Sequence, residues 1–263
     1  MSEAGAGKVP TLHAESTDGV LIAYRVHGGH DDSGGERDAA GPPVLLVHGF
    51  ASNDRVTWEG TGWVSALLAA GRTVITPDLR GHGESDKPVD ADSYAPELLG
   101  ADLRSVLVSA GAEMADAIGY SMGNRVISAL TQLAPERVRR VVIGGAGPRE
   151  LFASWDLDDV HAVLLRDEPS RNRVIEQVLR PAIAAGADRE ALLACIEGFA
   201  GAPLSIPGDI PTLFVAGEND PVPEGAQELA REWGSDFVSI PGRDHVSTLT
   251  ARAFKNAAIE FLA

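Results

Sequence analysis

The chain has 263 residues, 44% hydrophobic and 23% charged, with 38 acidic against 22 basic side chains and a formal charge of −16. That length supports a full core without covalent staples, and the single Cys195 excludes a disulfide framework or a CxxC zinc site. The acid surplus argues against nucleic acid or an anionic membrane as partner, and no run approaches the roughly 18 apolar residues of a membrane span.

Residues 1–10 (MSEAGAGKVP) hold no apolar signal core, so a cytoplasmic, soluble protein acting on a small molecule is expected. Short runs at 13–15 and 21–26 flank Asp18-Gly19, a strong hairpin signal, so the sheet should begin antiparallel. Residues 28–43 are rich in Gly, Asp and Pro and read as a surface loop. His27 and His30 beside Asp31 and Asp32 have nothing to fix ligand geometry, so no metal is expected there. Further along, apolar runs at 44–47, 73–76, 117–119, 141–144, 213–216 and 237–240 suit strands buried on both faces. Helical patterns lie at 62–70, 96–110, 122–133, 224–233 and 246–262. The alternation predicts an α/β fold with a mostly parallel, eight-stranded sheet flanked by helices. Only 148–207 breaks it, with helical stretches at 161–168, 173–185 and 189–201; Val174, Val178, Leu179 and Ile183 recur near a 3.6-residue period. Three segments follow: a core of 1–147 and 208–263, and a helical insertion of 148–207.

In such sheets function sits at the C-terminal ends of the strands. After 44–47 comes His48-Gly49-Phe50, a turn able to aim the Phe50 N–H at a developing oxyanion, with His48 structural. After 73–76, Asp78 and Arg80 read as structural partners in a tight loop, with His82 and Ser85 outside any catalytic set. After 117–119 comes Gly119-Tyr120-Ser121-Met122-Gly123, G-x-S-x-G in strand–turn–helix context, which presents the serine on a strained turn. By itself the motif also fits a serine capping a helix. After 213–216, Asp220 sits at a loop apex held extended by Pro221, with Glu218 as its rival. After 237–240, His245 precedes the last helix. Loop signals after five different strands, in the order Ser121, Asp220, His245, decide for a nucleophile, an acid and a base.

With these residues in place, the chain from about residue 13 onward resembles the α/β-hydrolase superfamily. HGF (48–50), DLRGHGESDKP (78–88), GYSMG (119–123), GENDPVP (217–223) and GRDH (242–245) carry the resemblance. It implies a serine hydrolase of the esterase, lactonase or perhydrolase kind, with Ser121 as nucleophile, His245 as base and Asp220 as acid. Phe50 and Met122 would supply the oxyanion hole, 148–207 a small cap, and no cofactor or metal would be needed. Candidate pocket residues are Trp58, Tyr120, Phe152, Trp155 and His161; His161 and Arg166 share a cap segment that also suits plain exposure. With little basic charge in the cap, a neutral acyl group is expected, as an ester, lactone or thioester.

Two other readings stay open. The elbow GYSMGNR is similar to that of a menaquinone-pathway lyase, which has Gly-Gly-Arg where this chain has Gly123-Asn124-Arg125. Ser121 and His245 would then abstract a proton, and Arg125 would be a substrate clamp; a buried ion pair is the expected role. Small-molecule receptors of the fold can also keep the triad. Cys195, among Leu192, Leu193 and Ile196, reads as a small buried hydrophobe.

Overall fold

The computed structural model describes residues 9–28 and 40–263. Most of the acidic loop at 28–43, with His30, Asp31 and Asp32, lies outside them. Gly19, at φ 86°, closes the turn between β1 (Leu12–Glu15) and β2 (Leu21–His27), which pair antiparallel. Six strands follow: β3 (Val44–Val47), β4 (Val74–Pro77), β5 (Ala115–Tyr120), β6 (Val138–Gly144), β7 (Thr212–Gly217) and β8 (Asp236–Ile240). Their order is β1-β2-β4-β3-β5-β6-β7-β8. β2 meets β4 antiparallel, and every pair from β4 to β8 is parallel. The chain thus has the mostly parallel eight-stranded sheet expected of it.

Side chains on a strand alternate between faces, and the core divides accordingly. Leu45, Val47, Ala117 and Ile143 pack with Leu103 and Val106 of α2 (Pro96–Ser109) and Val126 and Leu130 of α3 (Gly123–Leu133). Val44, Leu46, Ile118 and Val142 face the other way. They meet Trp63 and Leu67 of α1 (Trp63–Ala69), and Phe254 and Ala258 of the C-terminal helix. Between β6 and β7 run α4 (Leu157–Leu164), α5 (Arg173–Ala184) and α6 (Arg189–Phe199), followed after β7 by α7 (Ala226–Trp233). Among the described residues no helix is long and apolar enough to cross a membrane.

Several boundaries differ from the sequence pattern. β6 starts at Val138 and β5 at Ala115, earlier than their apolar runs. Polar residues open both strands and satisfy each other: Arg139 donates to Asp116 at 2.8 Å, and Arg72 pairs with the same carboxylate. The expected helix at 246–262 is two, α8 (His245–Thr250) and α9 (Arg252–Leu262), broken at Ala251 (φ −67°, ψ 128°). The Leu249 carbonyl, which a continuous helix would use internally, accepts instead from the Trp63 indole at 2.8 Å.

The expected Asp78–Arg80 partnership does not form. Arg80 is fully buried and lies bidentate on Asp102 of α2 at 2.7 and 2.6 Å, with further bonds to Asp18 and the Ser93 carbonyl. This guanidinium ties the hairpin turn, the loop after β4 and α2 together. Removing one partner of a buried pair strands the other charge. Asp102→Ala should therefore lower the free energy of unfolding in urea by about 3–5 kcal/mol. Asp18→Ala, at a carboxylate 28% exposed, should cost under about 1 kcal/mol.

Candidate active site

β5 ends at Tyr120 and α3 begins at Gly123, so the chain reverses in two residues. Ser121 takes φ 52°, a left-handed conformation that costs an L-residue on the order of 1–2 kcal/mol. The flanking glycines are steric requirements. A Cβ on Gly119 would sit 2.5 Å from Asn124 Oδ1, and one on Gly123 would sit 2.3 Å from the Val47 carbonyl oxygen. The Ser121 N–H donates to the Gly144 carbonyl at 2.9 Å. Asn124 Nδ2 donates to the carbonyls of Ser121 and Gly144, both at 2.9 Å, clamping the turn to the end of β6. Sequence reasoning noted Asn124 only as a departure from a second glycine; its amide is the signal that it overlooked. Among the described residues the Ser121 hydroxyl makes no hydrogen bond.

Asp220 and His245 arrive on the loops after β7 and β8. His245 Nδ1 lies 2.8 Å from Asp220 Oδ2, whose side chain is wholly buried, and Asp220 Oδ1 accepts the Val222 N–H at 2.9 Å. Glu218, the rival acid, points elsewhere: it accepts the Gly242 N–H at 2.8 Å and braces the loop that carries His245. His245 opens α8, where Asp244 and Ser247 form a reciprocal capping box. The Tyr120 hydroxyl donates to the His245 carbonyl, and the two rings lie 5.2 Å apart.

The loop after β3 comes up beside the serine. A Cβ on Gly49 would be 3.2 Å from Ser121 Cβ. The N–H groups of Phe50 and Met122 have no hydrogen-bond partner among the described residues. Two histidines and an aspartate hold this loop. His48 Nε2 accepts the Leu79 N–H at 3.0 Å while Nδ1 donates to the Gly49 carbonyl at 2.7 Å. His82 Nε2 accepts the Ala51 N–H at 3.0 Å while Nδ1 donates to the Arg80 carbonyl at 2.9 Å. Asp78 accepts the N–H groups of Asp54 and Glu84, both at 2.8 Å. Each imidazole needs one bare nitrogen, so both stay neutral. Burial lowers His48 to about 4, and burial followed by the His48 charge lowers His82 to about 3.

A cavity of about 370 Å³ opens over these groups, walled by Ser121, His245, Phe50, Tyr120, Met122, Phe152, Trp155, Val174 and Val178. Phe152 packs edge-on to Phe50 at 4.8 Å and to Trp155 at 5.1 Å. Two candidate pocket residues fall elsewhere. Trp58 is fully buried in the core, perpendicular to Trp63 at 5.7 Å. His161 lies outside the wall, 3.6 Å from Glu197. Arg166 pairs with Glu168 at 3.0 Å on the surface. Cys195 is buried, and burial pushes its thiol up, away from reactivity. Among the described residues the ion pair expected for Arg125 is absent: its Nη2 donates to the carbonyls of Gly147 and Pro148 at 3.0 and 3.2 Å, and its side chain lines the cavity.

Residues 42–184, more than half the chain, match a family model described as the alpha/beta hydrolase fold. The chain belongs to that family. An uncharacterized protein of Mycobacterium tuberculosis is 36% identical over 138 residues, 52% of this chain but only 36% of that protein's length. A putative non-heme chloroperoxidase of Synechocystis is 27% identical over 80% of this chain and 87% of its own. Among solved structures, an esterase from Thermogutta terrifontis, with malate bound, superposes with a TM-score of 0.72 at 25% identity, covering 96% of this chain and 98% of that one.

The buried histidines give the protein a stability that depends on pH. Unfolded imidazoles bind protons below about pH 6.5, whereas His48 and His82 stay neutral in the fold until about 4 and 3. The unfolded state binds more protons in that window, so stability falls as pH falls. His82 contributes a slope of about 1.4 kcal/mol per pH unit between pH 5.5 and 4, and His48 one that has halved by about pH 4. Unfolding curves of His82→Gln should show a slope smaller than wild type by about the His82 contribution.

Proposed function

We propose that the protein is a serine hydrolase that cleaves a small ester or lactone through an acyl-enzyme, with Ser121 as nucleophile, His245 as base and Asp220 as acid. One observation carries the reading: the Asp220–His245 hydrogen bond of 2.8 Å closes over the same cavity onto which the strained Ser121 opens. The aspartate on Nδ1 fixes the tautomer and leaves Nε2 to take the serine proton. The Ser121 oxygen then adds to the substrate carbonyl, and the new oxyanion is met by the unpaired N–H groups of Phe50 and Met122. Collapse expels the alcohol, which takes the proton back from His245. Water, deprotonated by the same imidazole, releases the acid and restores the serine. The neutral His48 and His82 act as positioning residues that keep Phe50 in place. Residues 148–207 act as the cap, with Phe152, Trp155, Val174 and Val178 among its contributions to the wall. The structural likeness to an esterase supports the ester as substrate.

A panel of 4-nitrophenyl esters from acetyl to octanoyl tests this. Ser121→Ala should lose turnover by a factor on the order of 10⁴ or more while melting like the wild type. Asp220→Asn should lose on the order of 10⁴ and Glu218→Gln less than about tenfold. Turnover that survives in Ser121→Ala, or equal losses in the two acid variants, would reject the assignment.

A further inference from the structure

Four arginines are buried among the described residues, and three of them meet a carboxylate. Arg25 is paired with Asp54, Arg72 with Asp116, and Arg80 with Asp102 and Asp18. The fourth is Arg125, 4% exposed, with no Asp or Glu within 4.0 Å among the described residues. In a chain with 38 acidic side chains this is a selective omission. Its Nη2 is spent on two backbone carbonyls. Nε and Nη1 donate to no described residue, yet neither belongs to the unpartnered atoms sealed within the protein. They are therefore open to the cavity that Arg125 lines.

The acid on the same wall acts on this charge only through space, without contact. Glu150 gives both carboxylate oxygens to backbone N–H groups: Phe152 at 2.8 Å, Ala153 at 2.8 Å and Gly201 at 3.1 Å. The other cation on the wall, Arg149, is exposed. Desolvating a cation without a counter-ion is costly unless a ligand supplies one. A guanidinium's free edge, with two N–H groups side by side, matches the two oxygens of a carboxylate.

We propose that Arg125 is the anchor for a free carboxylate on the substrate, which makes the preferred ester or lactone an anionic one. The proposal rests on the serine hydrolase reading for the reacting end of the molecule. Arg125 follows Ser121 by four residues, in the first turn of α3, and both line the same cavity. The spacing fits an acyl chain a few carbons long, with its reactive carbonyl at Ser121, its methylenes against Phe152 and Val178, and its carboxylate at Arg125. A hemiester of a short dicarboxylic acid is the simplest such molecule. This replaces the neutral acyl group expected from the cap's composition: the charge that matters stands on α3, beneath the cap.

Two measurements separate this proposal from the reading on which it rests. The first compares 4-nitrophenyl hemiglutarate with 4-nitrophenyl pentanoate. Wild type should favour the charged ester at least tenfold in kcat/KM, mainly through KM. Arg125→Met should erase that preference, and Arg125→Lys should keep part of it. No preference in wild type, or a preference that Arg125→Met leaves intact, overturns the proposal. The second measures binding without chemistry: glutarate against glutaramide, by calorimetry and thermal shift. Wild type should bind glutarate at least tenfold more tightly, and Arg125→Met should not distinguish the two. If neither ester is cleaved but glutarate binds through Arg125, the anchor stands and the hydrolase reading fails. If Arg125→Met does not fold, wild type alone decides, by whether glutarate protects Ser121 from a fluorophosphonate better than glutaramide does. Equal protection overturns the proposal.

Discussion

Everything at the candidate site depends on how closely the start of α3 approaches the end of β3. Gly123 lies so near the Val47 and His48 carbonyls that no side chain fits between them. That contact leaves Ser121 to turn the chain in a left-handed conformation. Gly49 repeats the approach from the facing strand. A turn this tight cannot hold itself. Asn124 clamps it from α3, the Gly144 carbonyl from β6, and the His48, Asp78 and His82 bonds secure the loop opposite.

Charge is buried here with a clear division of labour. Arg80 and Asp102, with Asp18, lock the hairpin to α2, and Arg72, Asp116 and Arg139 lock the starts of two strands. In each set every charge meets an opposite one, which adds rigidity at the cost of desolvation. The site works differently. Its two loop histidines are neutral, its aspartate is matched to an imidazole, and its arginine touches no acid among the described residues.

What the sequence disclosed and what it hid follow from one distinction. Features forced by the backbone were legible: Gly119 and Gly123 around Ser121, Pro221 behind Asp220, Asp18-Gly19 in the hairpin. So was the sheet, because strands covered on both faces must be apolar throughout. Side-chain direction was not legible. Trp58 lies in a π-helical segment, Arg55–Glu59, where the Gly60 N–H reaches back five residues to the Arg55 carbonyl. The wider turn gives Val56 and Thr57 to the cavity and Trp58 to the core. On α5 the apolar period merged two faces: Ile175 and Leu179 are core, whereas Val174 and Val178 form the pocket wall. The polar openings of β5 and β6 hid those strand starts, since Asp116 and Arg139 look like loop residues until they are seen to pair. Arg80 likewise found its acid on a helix 22 residues away, beyond the reach of any local pattern.

The placement of the reacting groups across the sheet has a further consequence. Ser121 follows β5, a central strand with every residue buried, whereas His245 follows β8, the edge strand, where only Ile240 is buried. Opening free energies run from near zero at frayed edges to the global value in central strands. One site therefore spans both regimes. On the proposed assignment the nucleophile is as durable as the fold, while the base is as durable as its border. On warming, the border loosens first, so a reaction that needs both groups would fade reversibly while the interior is still native, at a temperature below the one at which the protein unfolds.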